Sequence, residues 1–263
     1  MIFLALIFSA SAVSASLDDR DLAASAVSNY LAGLETRDDS AKAKPLFRQA
    51  AAQFEQLWKL GVRNPRLAQN MAQAQLLAGD VARAVAAYQM GLRLAPHDSE
   101  LRAGLAFARG QVQYPVNGNL AESARPRDRS SLLRIAAADD LRLAALVLYF
   151  LASMAIARAW MTRLPGWWMT GALFMLLACA TAVTVWLDER RFATEQKNKL
   201  VIVLENGSSL YRGNGGEYPR RFSEPFPAGV ELHVLAERGG WYQVQLAGGE
   251  VGWISRKQVV DVD

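Results

Sequence analysis

The side chains that could do chemistry in this chain are few and poorly spaced for it. Cys179 is the one cysteine, and it lies inside an uncharged apolar run with no histidine near it to make a thiolate. His97 and His233 are far apart and have no cysteine partners, so no zinc site is expected on them. There is no glycine-rich phosphate loop ending in Lys-Ser or Lys-Thr, and no Gly-x-Ser-x-Gly elbow. The Asp pairs sit at predicted helix ends and at the edges of apolar runs, where capping and solvation account for them. A glycosidase would need two carboxylates flanking a cleft, and nothing in the spacing points to one. The expectation is a binding protein rather than an enzyme, with no metal and no cofactor.

The bulk numbers agree with binding and add a membrane. Of 263 residues 52% are hydrophobic, and the excess is concentrated in a few runs. The net charge of +4, from 29 basic and 25 acidic residues, has no clustered basic face of the kind that holds nucleic acid. A lone cysteine allows no internal disulfide.

The elements that must position any binding residues change character along the chain. Residues 1–15 (MIFLALIFSASAVSA) have a short apolar core and small residues at Val13-Ser14-Ala15, the pattern of a cleaved signal. No Lys or Arg precedes the core, and a buried first helix is the alternative. Residues 18–113 are rich in Ala, Leu and Gln, with apolar positions at helical spacing, as in Leu46, Phe47, Ala50, Phe54, Leu57 and Trp58. Breaks at 37–40, 61–65, 79–80 and 96–98 predict helices near 19–36, 41–60, 65–78, 81–94 and 98–112.

Asn64 to Pro96 resembles a tetratricopeptide repeat. The likeness is carried by Gly79-Asp80 at the turn, Ala84 at the helix crossing, Tyr88, and the Leu92, Leu94 and Pro96 ending. Gln75 and Gly91 depart from the usual residues. One 34-residue period earlier, Ala50 falls under Ala84 and Phe54 under Tyr88, which predicts a degenerate preceding repeat. Such stacks present a concave groove to a peptide or helix. The repeat register assigns Gln69, Gln73, Leu76 and Leu77 to that groove, with Arg102 and Arg109 as positive charge for an acidic partner.

Residues 114–140 read as a linker, broken by Pro115, Gly118 and Pro126. Within it, Ser130 to Ala138 fits either an amphipathic helix on the bilayer or a plain spacer. Residues 141–162 and 167–187 then form a predicted transmembrane hairpin, each long enough to cross. Arg158 and Arg163 lie at the turn, and Asp139, Asp140, Asp188 and Glu189 at the outer ends, where Arg190 and Arg191 dilute the contrast. The positive-inside rule puts the turn in the cytoplasm and both flanking domains outside the cytoplasmic membrane. No acid or histidine lies at mid-depth, which argues against a transporter.

From residue 198 to 263 the apolar period becomes two. Short strands between Gly-rich turns predict a small all-β barrel. The stretches Ser209 to Gly213, Phe226-Pro227-Ala228-Gly229, Gly240 to Val244 and Gly252-Trp253-Ile254 resemble a bacterial SH3 (SH3b) domain. The Gly-Trp pair is the most specific of these, read as a bend followed by a tryptophan in the core or the mouth. The Asn214-Gly215-Gly216 loop and Arg220-Arg221-Phe222 depart from the family pattern. The resemblance implies a peptide groove with Tyr211, Tyr218, Trp241 and Trp253 as its aromatic side chains; Trp241 and Trp253 fit a core role as well.

The expected fold is thus multidomain: all-α helical repeats, a two-helix transmembrane hairpin, and an all-β SH3-like barrel. That order resembles the Bat-type proteins of bacterial aerotolerance operons, with Asn64 to Arg109 carrying part of the likeness. The resemblance implies protein partners with von Willebrand A domains and a MoxR-type ATPase. Two functions follow as expectations: a membrane-anchored scaffold recruiting proteins through its helices, or a protein that binds peptidoglycan peptides through its C-terminal domain.

Overall fold

The computed structural model describes residues 17–115, 119–126, 138–197 and 199–262. The signal segment expected at 1–15 lies outside them, as does most of the stretch read as interfacial helix or spacer. The described residues fall into two compact units: 17–126 together with 199–262, and 138–197.

The first unit begins with α1 (Leu17–Glu35), α2 (Ser40–Lys59), α3 (Pro65–Ala78), α4 (Val81–Leu94) and α5 (Ser99–Gly110). A short polar side chain starts each of the last four. Asp39, Asn64, Asp80 and Asp98 accept hydrogen bonds from first-turn backbone N–H groups that would otherwise have no partner. Consecutive helices pack side by side, as their short connections require. Burial follows the 34-residue spacing: Ala50 and Ala84 are both fully enclosed, and Phe54 and Tyr88 fill the core beside them.

The sheet comprises β1 (Leu200–Val203), β2 (Glu231–Arg238), β3 (Trp241–Gln245), β4 (Val251–Ser255) and β5 (Val259–Asp261). It is antiparallel throughout, in the order β4-β3-β2-β1-β5. Strand β1 is buried on both faces. Leu200 and Ile202, with Val262, join the helical core, while Val201 and Val203 join the sheet's own core. Alternation along a strand sends successive side chains to opposite faces, so this continuous apolar run binds two layers at once.

Residues read as a tether also take part. Asn119–Ala124 forms a short helix, α6, whose Leu120 and Ala124 are buried in the sheet core. The Gly248 N–H donates to Ser123 O at 3.0 Å, pinning α6 to the β3–β4 turn. This part of the predicted linker is a packed element because Leu120 and Ala124, four apart, share one helix face.

The loop before β2 approaches α5 closely. Gly229 has φ +94, and a Cβ there would lie 2.7 Å from Val112 Cγ2. Gly229→Ala is expected to cost about 2 kcal/mol, from left-handed backbone strain plus overpacking. Chemical denaturation should show that loss, and Val112→Ala in the same chain should recover the packing part alone.

The second unit is the helical pair α7 (Ala138–Thr162) and α8 (Pro165–Lys197). Asp140–Thr162 and Pro165–Leu187 are each long and apolar enough to cross a membrane. The pair packs through small residues: Ala152, Ala155 and Ala159 of α7 and Ala178 of α8 are buried, and Gly171 lies against Ile156. Small side chains let two backbones approach where no hydrophobic effect drives association. Ser153, Thr162, Thr170, Thr181 and Thr184 donate their hydroxyls to backbone carbonyls of their own helix.

Candidate binding face

Strands β3 and β4 carry alternating side chains, and only one set enters the core. Tyr242, Val244, Gly252 and Ile254 point inward, while Trp241, Gln243, Gln245, Val251 and Trp253 are half-exposed on the outer face. Both tryptophans therefore lie on the outer face. Gly252 serves a different purpose from the expected bend: a Cβ there would lie 2.5 Å from Leu210 Cγ, so glycine admits Leu210 into the core.

Leu210 brings Tyr211 across the open edge of β4. Tyr211 and Trp253 exchange backbone hydrogen bonds, each N–H donating to the other's carbonyl at 2.8 Å. On its other side Tyr211 pairs with Arg220. Residues directly opposite in an antiparallel pair share a face. Gln243 opposite Trp253, Trp253 opposite Tyr211, and Tyr211 opposite Arg220 thus make one row across the outer face. Trp241, two residues along from Gln243, meets Tyr211 edge to face with ring centroids 5.6 Å apart. Such packing holds both rings in place while leaving part of each open.

Three of the four aromatic residues expected in a groove, Tyr211, Trp241 and Trp253, are therefore neighbours. Tyr218 is exposed and lies over Gly213 in the adjoining loop, with no ring contact to the other three among the described residues. Gln243 was not singled out from sequence, and Arg220 stood out only within Arg220-Arg221-Phe222, as a departure from the family pattern that could alter the groove. Strict alternation in Trp241 to Gln245 could have placed Gln243 beside the tryptophans; nothing local places Arg220 beside Tyr211.

The residues assigned to a helical groove are mostly engaged within the fold. Gln69 is buried, accepts from Arg66 at 2.9 Å and donates to Glu100 at 3.1 Å. Those donors, Gln69 first and then Arg66, hold the Glu100 carboxyl below its usual pKa range. Gln73 lies 3.4 Å from Tyr30 Oη, and Leu76 packs against the helical core. Arg102 donates to Pro96 O at 3.0 Å and contacts His97, tying down the α4–α5 connection. Of the six, Leu77 alone is exposed.

Arg109 corrects the groove expectation most directly. Its guanidinium grips Glu231 of β2 through Nε at 2.6 Å and Nη2 at 2.9 Å, and Gln89 of α4 donates to the same carboxylate at 2.7 Å. Glu231 stands opposite Ile202, on the sheet face that the helices cover, and its side chain is only 9% exposed. Beside it Tyr114 packs against both cores, and burial, with the Glu231 charge, pushes its phenol pKa up. Across the sheet, partial burial disfavours the Lys199 ammonium, but its hydrogen bonds to Tyr242 and Asp261 outweigh that and raise its pKa. Lys199 Nζ lies 3.0 Å from Tyr242 Oη and 2.9 Å from Asp261, joining β1, β3 and β5.

Residues 226–260 match the family model of the bacterial SH3 domain. The match runs from Phe226, ahead of β2, into β5, and so contains Gln243 and Trp253 of the outer-face row and the adjoining Trp241. Comparison with curated proteins and with solved structures finds no match.

Proposed function

We propose that this chain is a membrane-anchored, non-catalytic protein that holds a short extended peptide of the bacterial cell wall on the outer face of its SH3 domain. The observation that carries this reading is the cluster of Tyr211, Trp241 and Trp253, three half-exposed rings held together on adjacent strands. Rings with an apolar body and a polar edge suit a ligand of backbone amides and short side chains. Domains of this family bind peptidoglycan or proteins, which supports the ligand class. The better-placed titratable groups elsewhere, such as Glu231, Lys199 and Glu100, are committed to structural hydrogen bonds, which favours binding over chemistry.

The anchor reading draws on chain order. The first unit is made from residues on both sides of α7 and α8 in sequence. A chain that crosses a bilayer twice returns to the side it left, so two spans keep both parts of that unit in one compartment. Arg158 and Arg163 near the turn, partly offset by Arg142, Arg190 and Arg191 at the outer ends, are the charge argument for a cytoplasmic turn, and hence for domains outside the cytoplasmic membrane.

A second reading, recruitment of protein partners through the helices, is favoured by exposed Leu77 and Phe107. The von Willebrand A and MoxR-type partners implied by the aerotolerance resemblance belong to that reading. Pull-down with purified wall fragments separates the two. Tyr211→Ala and Trp253→Ala should each weaken wall binding about tenfold, the loss typical of a central aromatic contact. Phe107→Asp should leave it unchanged. The reverse pattern, with membrane proteins lost on Phe107→Asp, would transfer the function to the helices.

A further inference from the structure

The outer-face row has two chemically different ends, and this inference rests on that face being the binding site. At one end Gln243 offers an amide; at the other Arg220 offers a guanidinium; Trp253 and Tyr211 lie between them. Arg220 is exposed, and among the described residues no carboxylate lies within ion-pair distance of it. Of the acids in the same loop, Glu217 lies over Gly215 and Glu224 is exposed. Arg220 is the cation in the row of Trp253 and Tyr211, while Arg238, exposed and opposite Trp241, flanks the same face two residues along β3 from Gln243. The row crosses β3, β4 and the two bridged segments at Tyr211 and Arg220, three spacings of about 4.8 Å or roughly 15 Å in all, a distance that four or so extended residues span.

We propose that the ligand is a wall stem peptide bearing a free carboxylate, laid along this row with the carboxylate at Arg220, and that Arg220 determines specificity for it. A planar guanidinium can hold a carboxylate through two parallel N–H donors, which an amide ligand cannot accept in the same way. The Gln243 amide can pair with a peptide group at the other end and so fix the ligand's direction.

The test uses the full chain in lipid nanodiscs and calorimetric titration with three synthetic tetrapeptides: a wall stem peptide as free acid, the same peptide with its carboxyls amidated, and an all-L peptide acid of equal charge. The free acid should bind about tenfold or more tighter than the amidated form. Arg220→Gln should abolish that difference by weakening the free acid alone, and Arg220→Lys should restore part of it. Equal binding of acid and amide, or no effect of Arg220→Gln, overturns the carboxylate assignment. An all-L acid that binds as tightly as the stem peptide overturns the wall source. If Tyr211→Ala and Trp253→Ala weaken both stem peptides while Arg220→Gln changes neither, the face stands and the role of Arg220 falls. If no peptide binds, or the aromatic variants bind unchanged, the face reading fails with it.

Discussion

Arg109→Ala should lower the unfolding free energy of the first unit by about 3 kcal/mol, the loss typical when one partner of a buried pair is removed. Among the described residues the Glu231 carboxylate would keep Gln89 alone as a donor, in a site where its side chain is 9% exposed. Glu231→Ala should cost less, because Arg109 is 28% exposed and its guanidinium can turn toward water. Replacing Arg109, Gln89 and Glu231 together by Met, Leu and Leu should recover most of the loss, since apolar groups of similar volume avoid the desolvation cost. Denaturant unfolding of the unsubstituted chain and the three variants makes the comparison. If the triple variant is no better than Arg109→Ala, the loss comes from packing of the Arg109 stem rather than from the stranded charge.

That ion pair also marks the boundary between what local sequence specified and what it left open. Helices α2 to α5 were legible because each begins after Asp or Asn and stops at or near Gly or Pro: α3 and α4 run over 65–78 and 81–94, as their spacing predicts. Strands β2 to β4 were legible from alternation and glycine turns and β1 as an apolar run before Asn206-Gly207, but three-residue β5 was not, being too short for a period to show. The docking of helices onto sheet was missed, although one signal for it was present. Leu200-Val201-Ile202-Val203 is an unbroken apolar run, which a strand needs only when both faces are covered. For Glu231 in the next strand, alternation gives its face and not what lies against it. Arg109 read as a groove cation for the same reason: helical register fixes direction, while its partner lies 122 positions away in sequence. The aromatic face was half legible. Its tryptophans stood out by type and turn context, but the addition of Tyr211 and Arg220 to the β4 edge is a long-range pairing that no local pattern encodes.

Because the helices and the SH3 domain share a core, a chain lacking one of the two candidate spans should lose far more than one apolar helix. Deleting residues 141–162 would leave α8 as the sole crossing, and the SH3 domain would emerge on the side opposite the helices. Leu200, Ile202 and Val262 could then no longer enter the helical core. Each buried aliphatic side chain contributes about 1.5–3 kcal/mol, so the three together approach the whole stability of an ordinary domain, about 5–15 kcal/mol. Loss of the Arg109–Glu231 pair would add to that. The expected result is loss of amide-exchange protection in α4 and α5, and rapid proteolysis of the helical part in membrane vesicles. Deleting both spans and joining residue 139 to residue 188 through a flexible linker should do the opposite: the first unit stays on one side, folds, and keeps its protection without a membrane. Full protection of α4 and α5 in the single-span chain would mean that the helices and the SH3 domain still meet. The hairpin would then not be carrying the chain out and back, and the two-span arrangement would have to be abandoned.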